Sequence, residues 1–175
     1  MGKIYTALGL MSGTSMDGVD ASIIKSDGNK EYSIILDEYF EYNDEFYSKL
    51  INIRDKILVE DDLKTYSAEI QLIEREISLF HANIVKDIIK KSRTEIDMVG
   101  FHGQTIFHDP KNKITKQLGD GNLLSKLTKK LVIYNFRQND LQNGGQGAPL
   151  ASVYHKLLAQ TFKEKGKIEL PIIIL

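Results

Sequence analysis

The sequence predicts an α/β fold in which helices flank one mixed sheet, with elements in the order βββαβαβα. Three β-rich runs joined by short turns open the chain, within residues 4–40. Helical and strand patterns then alternate as far as residue 162. Three antiparallel strands followed by alternating crossovers are typical of a ribonuclease-H-like layer. We therefore expect one lobe of this type over residues 1–169.

The three opening strands are predicted from residue type. Ile4 to Leu10, Val19 to Ile24 and Tyr32 to Phe40 are rich in β-branched, aromatic and leucine residues, which favour strands. A polar turn with glycines separates the first two runs, and Asp27 to Asn29 forms the second turn. These runs predict consecutive antiparallel strands.

Two helical patterns follow. Asp44 is a candidate N-cap for the first helix. The apolar residues of that helix are spaced to lie on one face, and they are Phe46, Leu50, Ile53 and Ile57. A polar break is expected at Glu60 to Asp62. A long helical pattern then runs through Ile70, Ile73, Ile77, Phe80, Ile84, Ile88 and Ile89. Its steps of three and four predict a long amphipathic helix packed on the sheet.

The second half of the chain alternates strands and helices. Its predicted elements are the strand Met98 to Phe101, a hairpin of Thr105 to His108 with Ile114 to Leu118, a short helix after Asp120, and the strand Leu131 to Tyr134. A last helix within residues 148–162 is expected to begin after Pro149, a residue suited to a first helical turn. The apolar run at 170–175 predicts a buried parallel strand that leads into an absent second lobe.

Composition narrows the classes of protein. The 175 residues carry a formal net charge of −1, so no basic face points to nucleic acid or an anionic membrane. The sequence has no cysteine, which excludes disulfides, thiolate catalysis and cysteine-based zinc sites. Neither a signal peptide nor a membrane-spanning run is present, so we expect a cytoplasmic protein.

The turn between the first two strands is the first candidate site. Gly13 and Gly18 permit positive φ and close approach of backbone N–H groups to a ligand. The hydroxyls of Ser12, Thr14 and Ser15 add donors suited to phosphate oxygens. Neither the P-loop nor the dinucleotide pattern fits, which leaves a phosphate-binding hairpin or an ordinary Ser/Gly turn.

Two more clusters are rich in polar side chains. His102 and Gln104 stand at the carboxyl end of a predicted strand, where ligands of parallel α/β sheets bind, although a lone histidine is more often structural. Residues 135–150 combine several amides, one arginine and three glycines in a loop ahead of a helix. Such a loop can surround a small polar ligand, and the alternative is a solvated loop without a ligand. Asp140 is the one carboxylate of that loop and the candidate general base. No residue set predicts a protein metal site.

Taken together these segments resemble the anhydro-N-acetylmuramic acid kinase family, of the actin, hexokinase and Hsp70 ATPase superfamily. Four motifs carry the resemblance: Met11 to Asp20, His102 to Pro110, Gln117 to Gly121, and Phe136 to Leu150. The chain departs from the family pattern at Asn135, where an acidic residue is common. It is also about half as long as family members.

The resemblance implies a two-step reaction. Water opens the 1,6-anhydro ring of 1,6-anhydro-N-acetylmuramic acid, and ATP phosphorylates the released O6, giving N-acetylmuramic acid 6-phosphate in peptidoglycan recycling. Asp140 matches the catalytic aspartate. The residues that match the ATP phosphate loop, with Mg²⁺ balancing charge, are Gly13, Thr14, Ser15, Met16, Asp17, Gly18, Val19 and Asp20. The residues expected to line the sugar cleft are His102, Gln104, Arg137, Gly144, Gly145 and Gln146.

The length of the chain leaves two functions open. The first is the kinase, completed by a second lobe that is separately encoded or part of a longer enzyme, with a homodimer as the oligomer that the resemblance favours. Because phosphoryl transfer depends on groups from both sides of a cleft, one lobe alone is expected to have very low activity. The second is a catalytically silent sugar-binding remnant of that kinase.

Overall fold

A computed structural model describes residues 2–164 and residue 166. These residues form a mixed six-stranded sheet with flanking helices, which confirms the predicted α/β class. The apolar run at 170–175, predicted to be a strand, lies outside the described residues. No helix among the described residues has the length and apolar character needed to cross a bilayer.

The strands are β1 Tyr5–Ser12, β2 Gly18–Ser26, β3 Tyr32–Glu41, β4 Met98–Asp109, β5 Ile114–Leu118 and β6 Leu131–Ile133. The helices are α1 Asp44–Lys56, α2 Glu60–Thr65, α3 Ser67–Ser92, α4 Gly121–Thr128, α5 Phe136–Gln142 and α6 Ser152–Glu164.

The sheet runs in the order β3-β2-β1-β4-β5, and β6 also pairs with β4. The first three strands are antiparallel neighbours, as predicted. Both β1 and β6 lie parallel to β4, whereas β5 is antiparallel to the second half of β4. The carboxyl ends of β1 and β6 therefore point to the same edge of the sheet.

The core lies between the sheet and the helices α1 and α3. Leu8 and Leu10 alternate with more exposed residues along β1, as the two-residue period of a strand requires. They belong to one buried cluster with residues of both helices, among them Leu50, Ile53, Ile77 and Ile88. On the opposite face of β1, Tyr5 and Met11 remain 38% and 40% exposed.

Two details of the first helices differ from the prediction. Asn43, not Asp44, caps α1, because its Oδ1 accepts from the Phe46 N–H over 2.8 Å. Asp44 instead occupies the first turn, where a negative charge favours the helix dipole. Glu60 to Asp62, predicted to be a break, begins the short helix α2, and the chain leaves helical geometry at Ile57 instead.

Four details of the second half also differ. β4 is one strand of twelve residues rather than two short ones. β6 ends at Ile133, one residue before the predicted end. α5 forms inside the segment predicted to be a loop. It was not predicted because its two apolar residues, Phe136 and Leu141, do not make a helical pattern in the sequence. Pro149 precedes α6 without joining its first turn, since α6 begins at Ser152.

Candidate functional site

The predicted site residues lie along the edge where β1 and β6 end. Ser12, the last residue of β1, pairs with Gln104 in β4. Ile133, the last residue of β6, pairs with Gly100, which is also in β4. Ligands of parallel α/β sheets bind outside the carboxyl ends of the strands. The predicted phosphate turn and the Asp140 segment thus both follow strands that end beside residues 100–104 of β4.

The turn after β1 has open backbone donors. The Met16 N–H donates to the Gly13 carbonyl over 3.2 Å, which closes a four-residue turn. In the described part of the chain, neither backbone nor side-chain oxygens accept from the Thr14 and Ser15 N–H groups, and both residues are exposed. A Cβ added at Gly13 would meet only Ser15 Oγ, at 3.5 Å. The turn therefore offers free donors and room for close approach.

The residue with positive φ in this turn is not one of the two glycines expected to adopt it. The left-handed residue is Met16, with φ of 60°, rather than Gly13 or Gly18. Its side chain is 1% exposed and packs in the core, and this burial offsets the strain of that conformation. Gly18 is required for a different reason, because a Cβ there would lie 2.5 Å from the Phe40 carbonyl and the Tyr39 hydroxyl.

Two residues distant in sequence, Tyr42 and Gln104, hold the turn from inside. Tyr42 contributes its N–H to the Asp17 carbonyl over 2.8 Å, and its hydroxyl lies 3.0 Å from Ser12 Oγ. Gln104 donates from Nε2 to the Gly13 carbonyl over 2.9 Å. Burial is the main cause that raises the pKa of Tyr42 to about 12, so its hydroxyl stays protonated. Sequence reasoning missed Tyr42, although its position directly after β3, whose Glu41 pairs with Gly18, places it beside the turn.

The side chains of the turn divide into two sets. Met16 and Val19 are buried, so only their backbone can reach a ligand. Thr14, Ser15, Asp17 and Asp20 are exposed. Asp17 accepts from Ser15 Oγ over 2.6 Å, and this hydrogen bond is the main cause that lowers the pKa of its carboxyl. In residues 2–164, no group of three or more histidine and carboxylate side chains is placed to hold a metal.

The second cluster joins β4 to α5. Arg137 donates from Nε to His102 Nε2 over 2.8 Å and from Nη1 to the Gly147 carbonyl over 2.7 Å. The second nitrogen of His102, Nδ1, lies 2.7 Å from the Gly103 carbonyl. Because Nε2 accepts, the ring is neutral with its proton on Nδ1. Burial, and less strongly the charge of Arg137, lower the pKa of His102.

Asp140 is anchored within the same cluster. Its Oδ2 accepts from the Gly147 N–H over 2.7 Å, and its backbone carbonyl accepts from the Gly145 N–H over 2.9 Å. A Cβ at Gly145 would collide with the Asp140 carboxylate. Gly144 has φ of +91° with open space around it, and Gln146 is exposed. Gly147, the last glycine of the loop expected to line the sugar cleft, is thus the residue that ties Arg137 to Asp140.

The structure separates His102 from Gln104, which the sequence pattern placed together. Leu10 pairs with Phe101 and Ser12 with Gln104, so β4 contains one extra residue in this interval. Gly103 absorbs it with φ of +71°. As a result His102 contacts Arg137, whereas Gln104 is 0% exposed and contacts the turn after β1. The position of Gln104 in a sugar cleft stays a prediction.

Comparison with known proteins identifies the family. The sequence profile of the anhydro-N-acetylmuramic acid kinase family matches residues 5–170. The chain belongs to this family. A protein of that name from Pelagibacter ubique is 59% identical over 175 residues, all of this chain and 46% of that protein. Another of that name, from Rhizobium etli, is 38% identical over 172 residues, which cover 95% of this chain and 46% of that protein.

A third member of the anhydro-N-acetylmuramic acid kinase family gives the same proportions. The protein of that name from Agrobacterium fabrum is 39% identical over 166 residues, 91% of this chain and 43% of that protein. The chain therefore spans about half the length of the curated relatives it matches. Both clusters described above fall within the residues that the family profile covers.

Proposed function

We propose that residues 1–169 form the N-terminal lobe of a kinase that converts 1,6-anhydro-N-acetylmuramic acid to N-acetylmuramic acid 6-phosphate with ATP. The observation that carries the proposal is the anchoring of the Asp140 carboxylate by Gly147 in a cluster next to a turn with free N–H donors. One cluster supplies a base and the other supplies an anion site. A hydrolytic sugar kinase needs both.

Asp140 acts as the general base in this proposal. Its Oδ2 is engaged by the Gly147 N–H, which orients the carboxylate and leaves Oδ1 to take a proton from water. The water oxygen forms a bond to the anomeric carbon, and the bond from that carbon to the bridging oxygen breaks. The released O6 then attacks the γ-phosphorus of ATP, and ADP leaves. The products are the 6-phosphate sugar and ADP, and the sugar belongs to peptidoglycan recycling.

The turn after β1 would bind the phosphates. Its residues Gly13 to Asp20 present the Thr14 and Ser15 N–H groups, which suit phosphate oxygens. Asp17 and Asp20 are exposed carboxylates, and Mg²⁺ is often held by one or two carboxylates together with substrate phosphates. When bound there, Mg²⁺ would neutralise charge that develops on the transferring phosphoryl group.

The second cluster would line the sugar side of the cleft. Arg137 links His102 to Gly147, whose N–H donates to the Asp140 carboxylate, and Gly145 lies against that carboxylate. Gly144 and Gln146 belong to the same loop. Gln104 donates to the Gly13 carbonyl in the turn after β1, so a sugar contact would require it to change partner. We place the reaction in the cytoplasm, where ATP is present. The remaining phosphate and adenosine contacts would come from a second lobe, and a homodimer is the expected oligomer.

A second candidate is a sugar-binding protein without kinase activity. It is favoured by the second cluster, where polar groups of Arg137 and Gly147 lie beside Asp140, because such groups can bind a sugar without a nucleotide. Phosphoryl transfer relies on positioning and electrostatics from both sides of a cleft. This candidate predicts sugar binding by the folded chain without ADP release.

The test measures ADP release with Mg-ATP, with and without 1,6-anhydro-N-acetylmuramic acid. The chain is assayed alone and mixed with the C-terminal half of the Pelagibacter ubique relative. Asp140→Asn keeps an oxygen acceptor for the Gly147 N–H but removes the base, so we expect sugar-dependent turnover to fall about 10²- to 10⁴-fold. Asp37→Asn, at an exposed position in β3, is the matched control.

Each outcome separates the candidates. Sugar-dependent ADP release that is lost in Asp140→Asn and kept in Asp37→Asn supports the kinase. Release that does not depend on the sugar would point to simple ATP hydrolysis and contradict it. If the folded chain shows no turnover either alone or with the added C-terminal half, calorimetric titration of the chain with the sugar decides whether it is a sugar-binding protein.

A further inference from the structure

Gln104 occupies the base of the turn after β1 and is fully buried there. From this position we infer that Gln104 is a positioning residue, which holds the Gly13–Thr14 peptide with its N–H directed outward, toward a phosphate. The inference rests on the proposed nucleotide-binding role of the turn. It gives Gln104 a role different from the sugar contact that the sequence pattern predicts.

The Gly13 carbonyl accepts two hydrogen bonds. One comes from the Met16 N–H at 3.2 Å within the turn, and the other comes from Gln104 Nε2 at 2.9 Å, from a strand 91 residues away. The reverse orientation of the Gln104 amide would face two oxygen acceptors toward each other, so the donating orientation is favoured. Both bonds draw the Gly13 oxygen toward the interior of the protein.

This orientation of the Gly13 oxygen determines where the next N–H points. The peptide bond between Gly13 and Thr14 is planar and trans, so its C=O and N–H lie in opposite directions. With the oxygen directed inward, the Thr14 N–H faces outward, and the described residues offer it no acceptor. Rotation of this peptide would replace an open donor with a carbonyl oxygen, which repels phosphate.

Rotation of the peptide is also costly. It would leave the Gln104 amide nitrogen without an acceptor in a fully buried place, where an unsatisfied donor loses its full hydration. If the Gln104 amide turned so that its unpartnered Oε1 accepted the Thr14 N–H, Gln104 Nε2 and the Met16 N–H would both lose the acceptor that the Gly13 carbonyl now provides. Tyr42 restrains the other end of the turn through the Asp17 carbonyl and Ser12 Oγ. Gly13 itself has no Cβ to resist rotation, so the restraint comes from the two hydrogen bonds to its carbonyl, and Gln104 supplies the one from outside the turn.

The experiment uses nuclear magnetic resonance of the labelled chain and of two variants. Gln104→Met keeps the length of the side chain and removes the donor, and Gln71→Met, at an exposed position of α3, is the matched control. Mg-ATP, tripolyphosphate and 1,6-anhydro-N-acetylmuramic acid are titrated separately. We expect Gln104→Met to weaken Mg-ATP and tripolyphosphate about tenfold and to abolish the ligand-induced shift of the Thr14 amide, with sugar affinity unchanged.

The outcomes distinguish this inference from the proposed function. If the wild type binds Mg-ATP and Gln104→Met binds it equally well with the same Thr14 shift, the inference is wrong. If the sugar affinity alone falls, Gln104 is a sugar ligand and the inference is also wrong. If the wild type binds no polyphosphate, the proposed role of the turn fails instead.

The inference can then be judged on the protein without ligand. A scalar coupling between Gln104 Nε2 and the Gly13 carbonyl carbon in the labelled wild type reports the bond directly, and it does not require Gln104→Met to fold. Its presence, with a changed Thr14 amide shift in Gln104→Met, supports the restraint. Absence of the coupling overturns it.

Discussion

Arg137 donates its Nε–H to His102 Nε2 across 2.8 Å, and this bond joins β4 to the helix that carries Asp140. The same guanidinium donates to the Gly147 carbonyl. The N–H of Gly147 in turn donates to the Asp140 carboxylate. A planar guanidinium holds two acceptors at a fixed separation, which a lysine ammonium does not. The position of the Asp140 carboxylate therefore depends on a chain of contacts that begins in the sheet.

Replacement of Arg137 by lysine tests this chain of contacts. We expect sugar-dependent ADP release to fall about 10²-fold, since a small displacement of a catalytic group has that effect. Arg75→Lys, at an exposed position of α3, should leave the rate unchanged. Equal rates for Arg137→Lys and the wild type would show that Gly147 holds Asp140 without help from the guanidinium.

A methyl group at Gly145 should move the Asp140 carboxylate directly. The added Cβ of Gly145→Ala would collide with that carboxylate, so we expect turnover to fall about 10²-fold. Gly145 is exposed, so the free energy of unfolding should change little. Gly9→Ala is the control, because its Cβ would meet only the Ser22 carbonyl at 3.9 Å. Full activity in Gly145→Ala would mean that Asp140 does not need its observed position.

The two methionines on either side of the turn after β1 should contribute differently to stability. Met16 is 1% exposed and Met11 is 40% exposed. Met16→Ala should lower the free energy of unfolding by about 2–5 kcal/mol, the usual cost of truncating a buried methionine. Met11→Ala should lower it by about 0.5 kcal/mol or less. Urea unfolding of both variants measures the difference, and similar losses would show that Met16 does not anchor the turn in the core.

The parts of the fold that depend on local pattern could be predicted from the sequence. Isoleucine spacing predicted α3, and β-rich runs predicted β1 to β3 and their antiparallel order. Asp120 predicted the start of α4, and its carboxylate accepts from the N–H groups of Asn122 and Leu123. In each of these cases the determining contacts lie within a few residues or repeat with one period.

The missed features depend on contacts between distant residues. Met16 combines a left-handed conformation with a buried side chain, and no local rule for glycine turns indicates this. Gln104 bonds to a carbonyl 91 residues away after an extra residue in β4 changes its direction. The sequence thus predicted which segments form the candidate site. It did not predict which side chains within those segments face one another.

His81 makes stability depend on pH. It is fully buried in α3, its Nδ1 lies 2.8 Å from the Ile77 carbonyl, and its Nε2 has no partner among the described residues. Burial lowers the pKa of His81 from 6.5 to about 4. Between these values the unfolded chain binds a proton at His81 that the folded chain does not, so stability decreases as pH falls.

The loss of stability from His81 between pH 6.5 and 4 should be about 3 kcal/mol, because one pKa unit corresponds to about 1.4 kcal/mol. His102, whose pKa is also lowered, contributes with the same sign, so the slope of the wild type alone does not isolate His81. The measurement is therefore urea unfolding at pH 7.5, 5.5 and 4.5 for the wild type, His81→Leu and the control His155→Gln. We expect His81→Leu to lose less stability on acidification than the other two. Equal losses in all three would show that His81 is protonated in the folded state at these pH values.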